Sequence, residues 1–205
     1  MFVSQQAITH VNLIRHGETD WNVERRYQGT SDIPLNGKGR RQAALLGESM
    51  RGESWDVMYS SPSQRAFDTA KAVAAGLGMP EDDIIKDAAF MERGYGVAEG
   101  LMAAEREAKW PEGNWPGLET WEAAAARSMT SLHRAVKENS GKRILIVCHG
   151  GIINAMLATI SHGEIGTGKT VIDNTSRTTI DIDGDTWTIG EVNNTDHLQA
   201  LVGAD

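Results

Sequence analysis

The run Arg143–Cys148, RILIVC, constrains this chain more than any other segment. It is continuously apolar and β-branched with no polar alternation, as expected of a central strand buried on both faces. Such a strand needs helices above and below it, and the chain supplies them. An apolar helix is predicted over Gly151–Ile160 and a long Ala-rich one over Glu119–Asn139. Shorter strands are predicted at His10–Ile14, Asp56–Ser60 and Ile84–Lys86. A helix at Leu35–Met50 is signalled by Ala43, Leu46 and Met50 at helical spacing. Another is expected to run to about Leu77 from an N-cap at Ser61 with Pro62 in its first turn. Phe90–Ala104 is interrupted by glycines and has no clear period, and Lys109–Gly117 reads as a Pro/Trp/Gly loop. Arg177–Asp183 and Trp187–Val192 alternate around Gly184-Asp185 as a hairpin. Strands alternating with helices imply an α/β fold: a three-layer α/β/α sandwich with a mostly parallel central sheet and a C-terminal hairpin. We expect a single domain over 1–205, with 1–7 and 196–205 as loose tails.

Composition narrows the partners. A net charge of −8 disfavours nucleic acid, whose backbone calls for clustered Lys and Arg, but leaves room for a local basic pocket. Cys148 is the one cysteine, so no internal disulfide is available. The opening MFVSQQAITHV lacks the pattern of a signal peptide, and no apolar run approaches a membrane span. A cytoplasmic setting is the expectation.

In a parallel α/β sheet, ligands bind beyond the carboxyl ends of the strands. Three predicted strands end in residues suited to phosphate: Arg15-His16-Gly17, Ser60-Ser61 leading to Arg65, and His149-Gly150-Gly151. If these strands are neighbours, two arginines and two histidines converge. A guanidinium matches a phosphoryl group two oxygens at a time, and helix N-termini add backbone donors.

These residues, taken together, resemble a known family. LIRHGETDWN with Tyr27-Gln28-Gly29 and Asp32-Ile33-Pro34-Leu35, then SSPSQRAFDTA, MERGYGVAEG and VCHGGIIN, is similar to the motif series of the histidine phosphatase superfamily, the phosphoglycerate mutase-like proteins. The motifs run in the family's order over nearly the whole chain, and Asn174-Thr175-Ser176 fits its later part. The resemblance implies that His16 is the nucleophile and carries a covalent phosphohistidine. It implies that Arg15, Arg65 and His149 hold the phosphoryl oxygens, with Gly17, Asn22, Gln28, Gly29 and Gly150 as supporting phosphate or substrate contacts. Glu92 would be the general acid/base, protonating the leaving alcohol and then deprotonating water. No metal or other cofactor is implied, and His and carboxylate spacing signals no metal site. The expected partner is a small phosphorylated substrate, with neither nucleic acid nor membrane, and with a homodimer left open.

The resemblance covers both phosphatases and mutases. The family's mutases carry a long insertion between the acid and the second His; only residues 93–148 separate Glu92 and His149 here, as in the phosphatase branch. Glu92-Arg93-Gly94-Tyr95-Gly96 instead resembles the mutase form of the acid motif, where Arg93 and Tyr95 would face substrate. A solvated loop arginine is an equal reading of Arg93. Phosphomonoester hydrolysis is the favoured expectation, with mutase-type transfer (and a bisphosphate primer) as the alternative and a silent phosphate-binding module behind both. Trp110 and Trp115 are candidate substrate walls or loop packing.

Two decoys compete. GEIGTGKT, Gly163–Thr170, fits the G-x-x-x-x-G-K-[ST] nucleotide loop. That loop follows a strand and opens a helix. Here a predicted helix precedes it, and a β-branched segment follows that makes a poor helix. A flexible connector between the last core helix and the C-terminal strands is the better expectation; if it has a function, bordering the substrate pocket is a better reading than holding a nucleotide. Cys148 opens no C-x5-R phosphatase loop, because Asn154 stands where Arg is needed.

Overall fold

The computed structural model describes residues 7–199. Its sheet has six strands, β1 (Thr9–Arg15), β2 (Val57–Ser60), β3 (Ile84–Lys86), β4 (Arg143–Cys148), β5 (Arg177–Asp183) and β6 (Thr186–Ile189), in the order β3-β2-β4-β1-β5-β6. The first four are parallel, β5 pairs antiparallel with β1, and β6 with β5. Among the described residues it is flanked by α1 (Asp20–Val23), α2 (Gly37–Ser49), α3 (Gln64–Leu77), α4 (Ala103–Lys109), α5 (Trp121–Glu138) and α6 (Gly150–Ile160).

The RILIVC run is β4, and its two sets of side chains enter two different cores. Ile144, Ile146 and Cys148 join Val11, Leu13 and Tyr59 under α5 and α6, through Leu132, Ala135, Ile152 and Met156. Leu145 and Val147 join Ile14 and Met58 under α2 and α3, through Leu46, Ala66, Ala70 and Val73. The expected three-layer α/β/α sandwich with a mostly parallel sheet is therefore the observed fold. Each buried Leu or Ile contributes about 1.5–3 kcal/mol on leaving water, so β4 is the strand around which both layers close.

Several local expectations change. The helix after β2 starts at Gln64, and Ser63 before it makes no side-chain cap bond. Ser61 does not cap because its hydroxyl points to His149, with Oγ and Nε2 2.8 Å apart. The unexpected α1 is one turn closed by a reciprocal cap between Thr19 and Asn22. Residues 90–104 resolve into 3₁₀ turns at Ala88–Phe90 and Gly96–Ala98 and the start of α4. β6 ends at Ile189 because Gly190 and Glu191 bulge opposite the single residue Thr179, whose carbonyl accepts from Gly190 N–H and whose N–H donates to the Glu191 carbonyl, each at 2.9 Å.

Gly163–Thr170 follows α6 and leads into no helix, so the nucleotide-loop reading fails on both flanks. It is a closed turn rather than an open connector: the Lys169 ammonium donates to the Gly163 carbonyl, and Gly166 N–H donates to Thr170 Oγ1 at 2.9 Å. Gly166 sits at φ 107° with Ala158 N 2.5 Å from where a Cβ would stand, so only glycine fits. Of the expected tails, 1–6 and 200–205 lie outside the described residues. Residues Asp196–Leu198 form a 3₁₀ turn anchored through Asp196 N–H to Asn194 Oδ1 at 3.1 Å.

Candidate active site

The order β2-β4-β1 makes the three phosphate-suited strand ends adjacent. Arg15, His16, Asn22, Gln28, Gly29, Arg65, Glu92 and Tyr95 line one cavity of about 140 Å³, with Arg26 and Tyr27. A larger hollow of about 370 Å³ lies between α5 and the β5–β6 hairpin, but it gathers no comparable set of convergent groups.

His16 is buried directly after β1. Its Nδ1 lies 2.7 Å from the Gly17 carbonyl. A carbonyl only accepts, so Nδ1 carries the proton and Nε2 keeps its lone pair. Burial holds this imidazole well below its ordinary 6.5, and Arg65 and Arg15 push it the same way. The ring is neutral, oriented, and nucleophilic at one defined atom. Gly17 N–H is tied to Thr69 Oγ1 at 3.0 Å, which fixes the turn behind it.

Arg15 donates from Nη1 to the Ile172 carbonyl at 2.6 Å. Arg65 is fully buried and donates from Nη1 and Nη2 to the carbonyls of Ser31 and Gly29, each at 2.8 Å. Glu99 holds that loop by accepting from Thr30 and Ser31 N–H, each at 2.9 Å. His149, the residue before α6, is also fully buried, its ring 5.1 Å from that of His16. It is held well below 6.5 by burial first, then by Arg65, His16 and Arg15. Arg15 Nε, Arg65 Nε and His149 Nδ1 are buried with no partner among the described residues. Three buried nitrogens without a protein partner near one imidazole call for a further partner, water or a bound anion.

Glu92 lines the same cavity as His16. Oε1 accepts from Arg93 N–H at 2.8 Å and Oε2 from Gly151 N–H at 3.1 Å. A Cβ at Gly151 would stand 2.4 Å from Glu92 Oε1, so a larger residue there would displace the carboxylate. Beneath the loop, Arg127 donates to the carbonyls of Ala89 and Met91 at 2.7 Å and of Glu92 at 3.1 Å, and pairs with Glu119 at 2.7 Å. Asn22 and Gln28 turn their side-chain oxygens toward the Thr19 hydroxyl, at 3.1 and 3.0 Å.

Not every candidate lines the cavity. Gly17 and Gly150 support it from behind, the latter leaving room for the Arg15 side chain. Arg93 is not among the lining residues: its Nε donates to the Glu119 carbonyl at 2.7 Å, and its guanidinium lies 4.2 Å from the ring of Trp121 and 5.4 Å from that of Tyr95. It is neither a solvated loop residue nor a cavity wall. Tyr95 remains in the wall, 4.6 Å from Tyr27, with its hydroxyl pKa raised by burial and by Glu92. Trp115 is buried and donates from Nε1 to the Tyr95 carbonyl at 2.7 Å; Trp110 packs beside it, and neither lines the cavity. No residue of Gly163–Thr170 does so either. Thr69, Glu99 and Arg127 are not named as site residues by the sequence, and Ser61 is named only as a strand end and N-cap.

The two buried imidazoles make stability pH-dependent. Their folded pKa values are depressed, so the unfolded chain takes up protons first as pH falls below 6.5. Stability is present above 6.5 and lost as pH falls below it, by at most about 1.4 kcal/mol per histidine per pH unit. The urea midpoint is expected to fall between about pH 7.5 and about pH 5, and inorganic phosphate is expected to recover part of the loss by favouring protonated His149. A midpoint that stays flat or rises on acidification would contradict this.

The family model of the histidine phosphatase superfamily (branch 1) matches residues 11–195. The chain is 38% identical over 195 residues to the protein named uncharacterized phosphatase PhoE of Bacillus subtilis (strain 168), spanning 95% of this chain and 100% of that one. It is 33% identical over 163 residues to 2,3-bisphosphoglycerate-dependent phosphoglycerate mutase 2 of Gloeobacter violaceus, spanning 73% of this chain and 74% of the mutase. The solved structure of Bacillus stearothermophilus YhfR matches with a TM-score of 0.85 and 30% identity, covering 93% of this chain and 100% of that one.

Proposed function

The chain belongs to the histidine phosphatase superfamily, and from that premise we propose that it hydrolyses small phosphomonoesters through a phosphohistidine on His16. The observation that carries this reading is the free Nε2 of His16 among three unpartnered buried nitrogens. The His16 Nε2 lone pair attacks phosphorus and the bond from phosphorus to the ester oxygen breaks. Glu92, protonated, gives its proton to the departing alkoxide. Water then attacks the phosphohistidine, Glu92 takes its proton, the P–N bond breaks, and phosphate leaves with His16 neutral again. Arg15, Arg65 and protonated His149 stabilise charge on the equatorial oxygens, the preorganised electrostatics that is often the largest catalytic contribution. These groups supply the charge that a metal supplies elsewhere. Among the described residues no cluster of three His, Cys, Asp or Glu is arranged to hold one.

Hydrolysis is favoured over mutase-type transfer for two reasons. Arg93, the residue that would read a substrate carboxylate in the mutase form of the motif, is engaged by Glu119 and Trp121. The similarity to PhoE spans that protein's full length, whereas about a quarter of the mutase stays unmatched. No described helix is long and apolar enough to cross a membrane.

The test is a panel of phosphomonoesters in the presence of chelator: an aryl phosphate, phosphoserine, a sugar phosphate, and 3-phosphoglycerate with and without a bisphosphate primer. Phosphate release from one or more is the expected result. Primer-dependent isomerisation of 3-phosphoglycerate without release would replace hydrolysis by the mutase reading. Binding of inorganic phosphate with no turnover would leave a silent module.

A further inference from the structure

His16 and Arg15 are held from behind by a segment far along the chain. The Asn174-Thr175 elbow precedes β5. Thr175 is fully buried at φ 60°, a left-handed conformation that β-branched residues rarely take. Its N–H donates to the Arg15 carbonyl at 3.0 Å and reaches the His16 carbonyl at 3.3 Å. Asn174 Nδ2 donates to the His16 carbonyl at 2.9 Å. The peptide plane that follows His16 is thereby fixed, and its neighbour carries the Gly17 carbonyl that sets the His16 ring.

Something has to hold Thr175 in its strained conformation. Its hydroxyl donates to the Asn174 carbonyl at 2.7 Å, so its proton is committed and a lone pair remains. That lone pair faces His197 Nε2 at 3.0 Å. His197 is therefore the Nε2–H tautomer and donates. Burial and Arg177 lower its pKa to about 4, which keeps it neutral and in that role. Its own turn is pinned to β5, where Arg177 and Asn194 exchange two backbone bonds of 2.9 Å.

We propose that His197 is a positioning residue for the catalytic imidazole: it latches Thr175, and through Thr175 the carbonyls of Arg15 and His16, so that His16 Nε2 is aimed into the cavity. This rests on the reading of His16 as nucleophile. Misplacement of a reacting atom by about 1 Å can cost about 100-fold in rate. His197→Ala is expected to lower kcat by about 10- to 100-fold, with KM for the aryl phosphate moving by less than about twofold and the fold intact by circular dichroism and urea midpoint. His197→Gln places an amide donor near the position of Nε2 and is expected to recover kcat to within about threefold of the native enzyme. Thr175→Val removes the acceptor at similar shape, and the double variant with His197→Ala is expected to be no slower than the slower single one, as for partners in one interaction.

The latch is overturned if His197→Ala keeps kcat within about twofold, if its loss tracks the unfolded fraction, if Gln is as slow as Ala, or if the two losses multiply. His16→Ala run alongside separates the two levels. Activity in that variant removes the nucleophile and the latch together. An inactive His16→Ala beside a fully active His197→Ala removes the latch alone.

Discussion

His16→Ala is expected to reduce turnover of an aryl phosphate by on the order of 10⁵-fold or more, to the level set by binding and electrostatics alone. The size follows from the site's construction. Nε2 is the one unprotonated nitrogen of a ring whose other nitrogen is committed to Gly17 O. No second imidazole lines the cavity: its other members are Gly29, amides, guanidiniums, phenols and Glu92. Because Arg15, Arg65 and His149 remain, the variant is expected to keep its affinity for inorganic phosphate within a few-fold, read as a shift in thermal midpoint with added phosphate. Loss of turnover with retained phosphate binding separates a chemical defect from a collapsed site. A variant that still turns over steadily refutes the covalent mechanism. Rapid acid or base quench of the native enzyme with labelled substrate gives the complementary result, a phosphoenzyme stable to base and labile to acid that the variant lacks.

How much of this was legible in sequence depends on the kind of contact. The β4 run announced itself because burial on both faces leaves no polar position. Arg15, His16, Arg65, Glu92 and His149 were visible because short motifs place them at strand ends and loop starts, and the sheet order then brings them together. The supports were invisible because they bind distant backbone. Arg127 stands within a helix, where an arginine usually reads as a solvated face. Three of its hydrogen bonds nevertheless hold carbonyls of the loop carrying Glu92, and two more go to Glu119. Glu99 and Ser61 likewise act on partners dozens of residues away. Capping preference points to Ser61 as an N-cap, and a tertiary hydrogen bond to His149 overrides it. Arg93 donates to the Glu119 carbonyl, a contact that its motif neighbours do not signal. His197 fell in a segment expected to be a tail, since nothing in its spacing foretells a bond to Thr175.

Glu92→Gln carries the second large effect, and its informative feature is dependence on the leaving group. General acid catalysis contributes about 10²- to 10⁴-fold when the departing oxygen needs a proton. An alkyl alkoxide needs it; a nitrophenolate scarcely does. With alkyl substrates such as phosphoserine, kcat/KM is expected to fall about 10³-fold, and with an aryl phosphate about tenfold. Glutamine also disturbs position, because Glu92 accepts from Gly151 N–H and Arg93 N–H with separate oxygens, and an amide has only one oxygen to offer. Such a disturbance would slow both substrates alike. The ratio of the two losses therefore isolates proton transfer from geometry. Dephosphorylation still needs a base to take the proton of water, so in this variant the aryl substrate is expected to load His16 faster than water unloads it. Rapid quench should then show phosphoenzyme approaching one per active site, with a burst of phenolate before a slow steady state. Equal losses for the two leaving groups, without a burst, would remove Glu92 from the proton path and reduce it to a structural acceptor for Gly151.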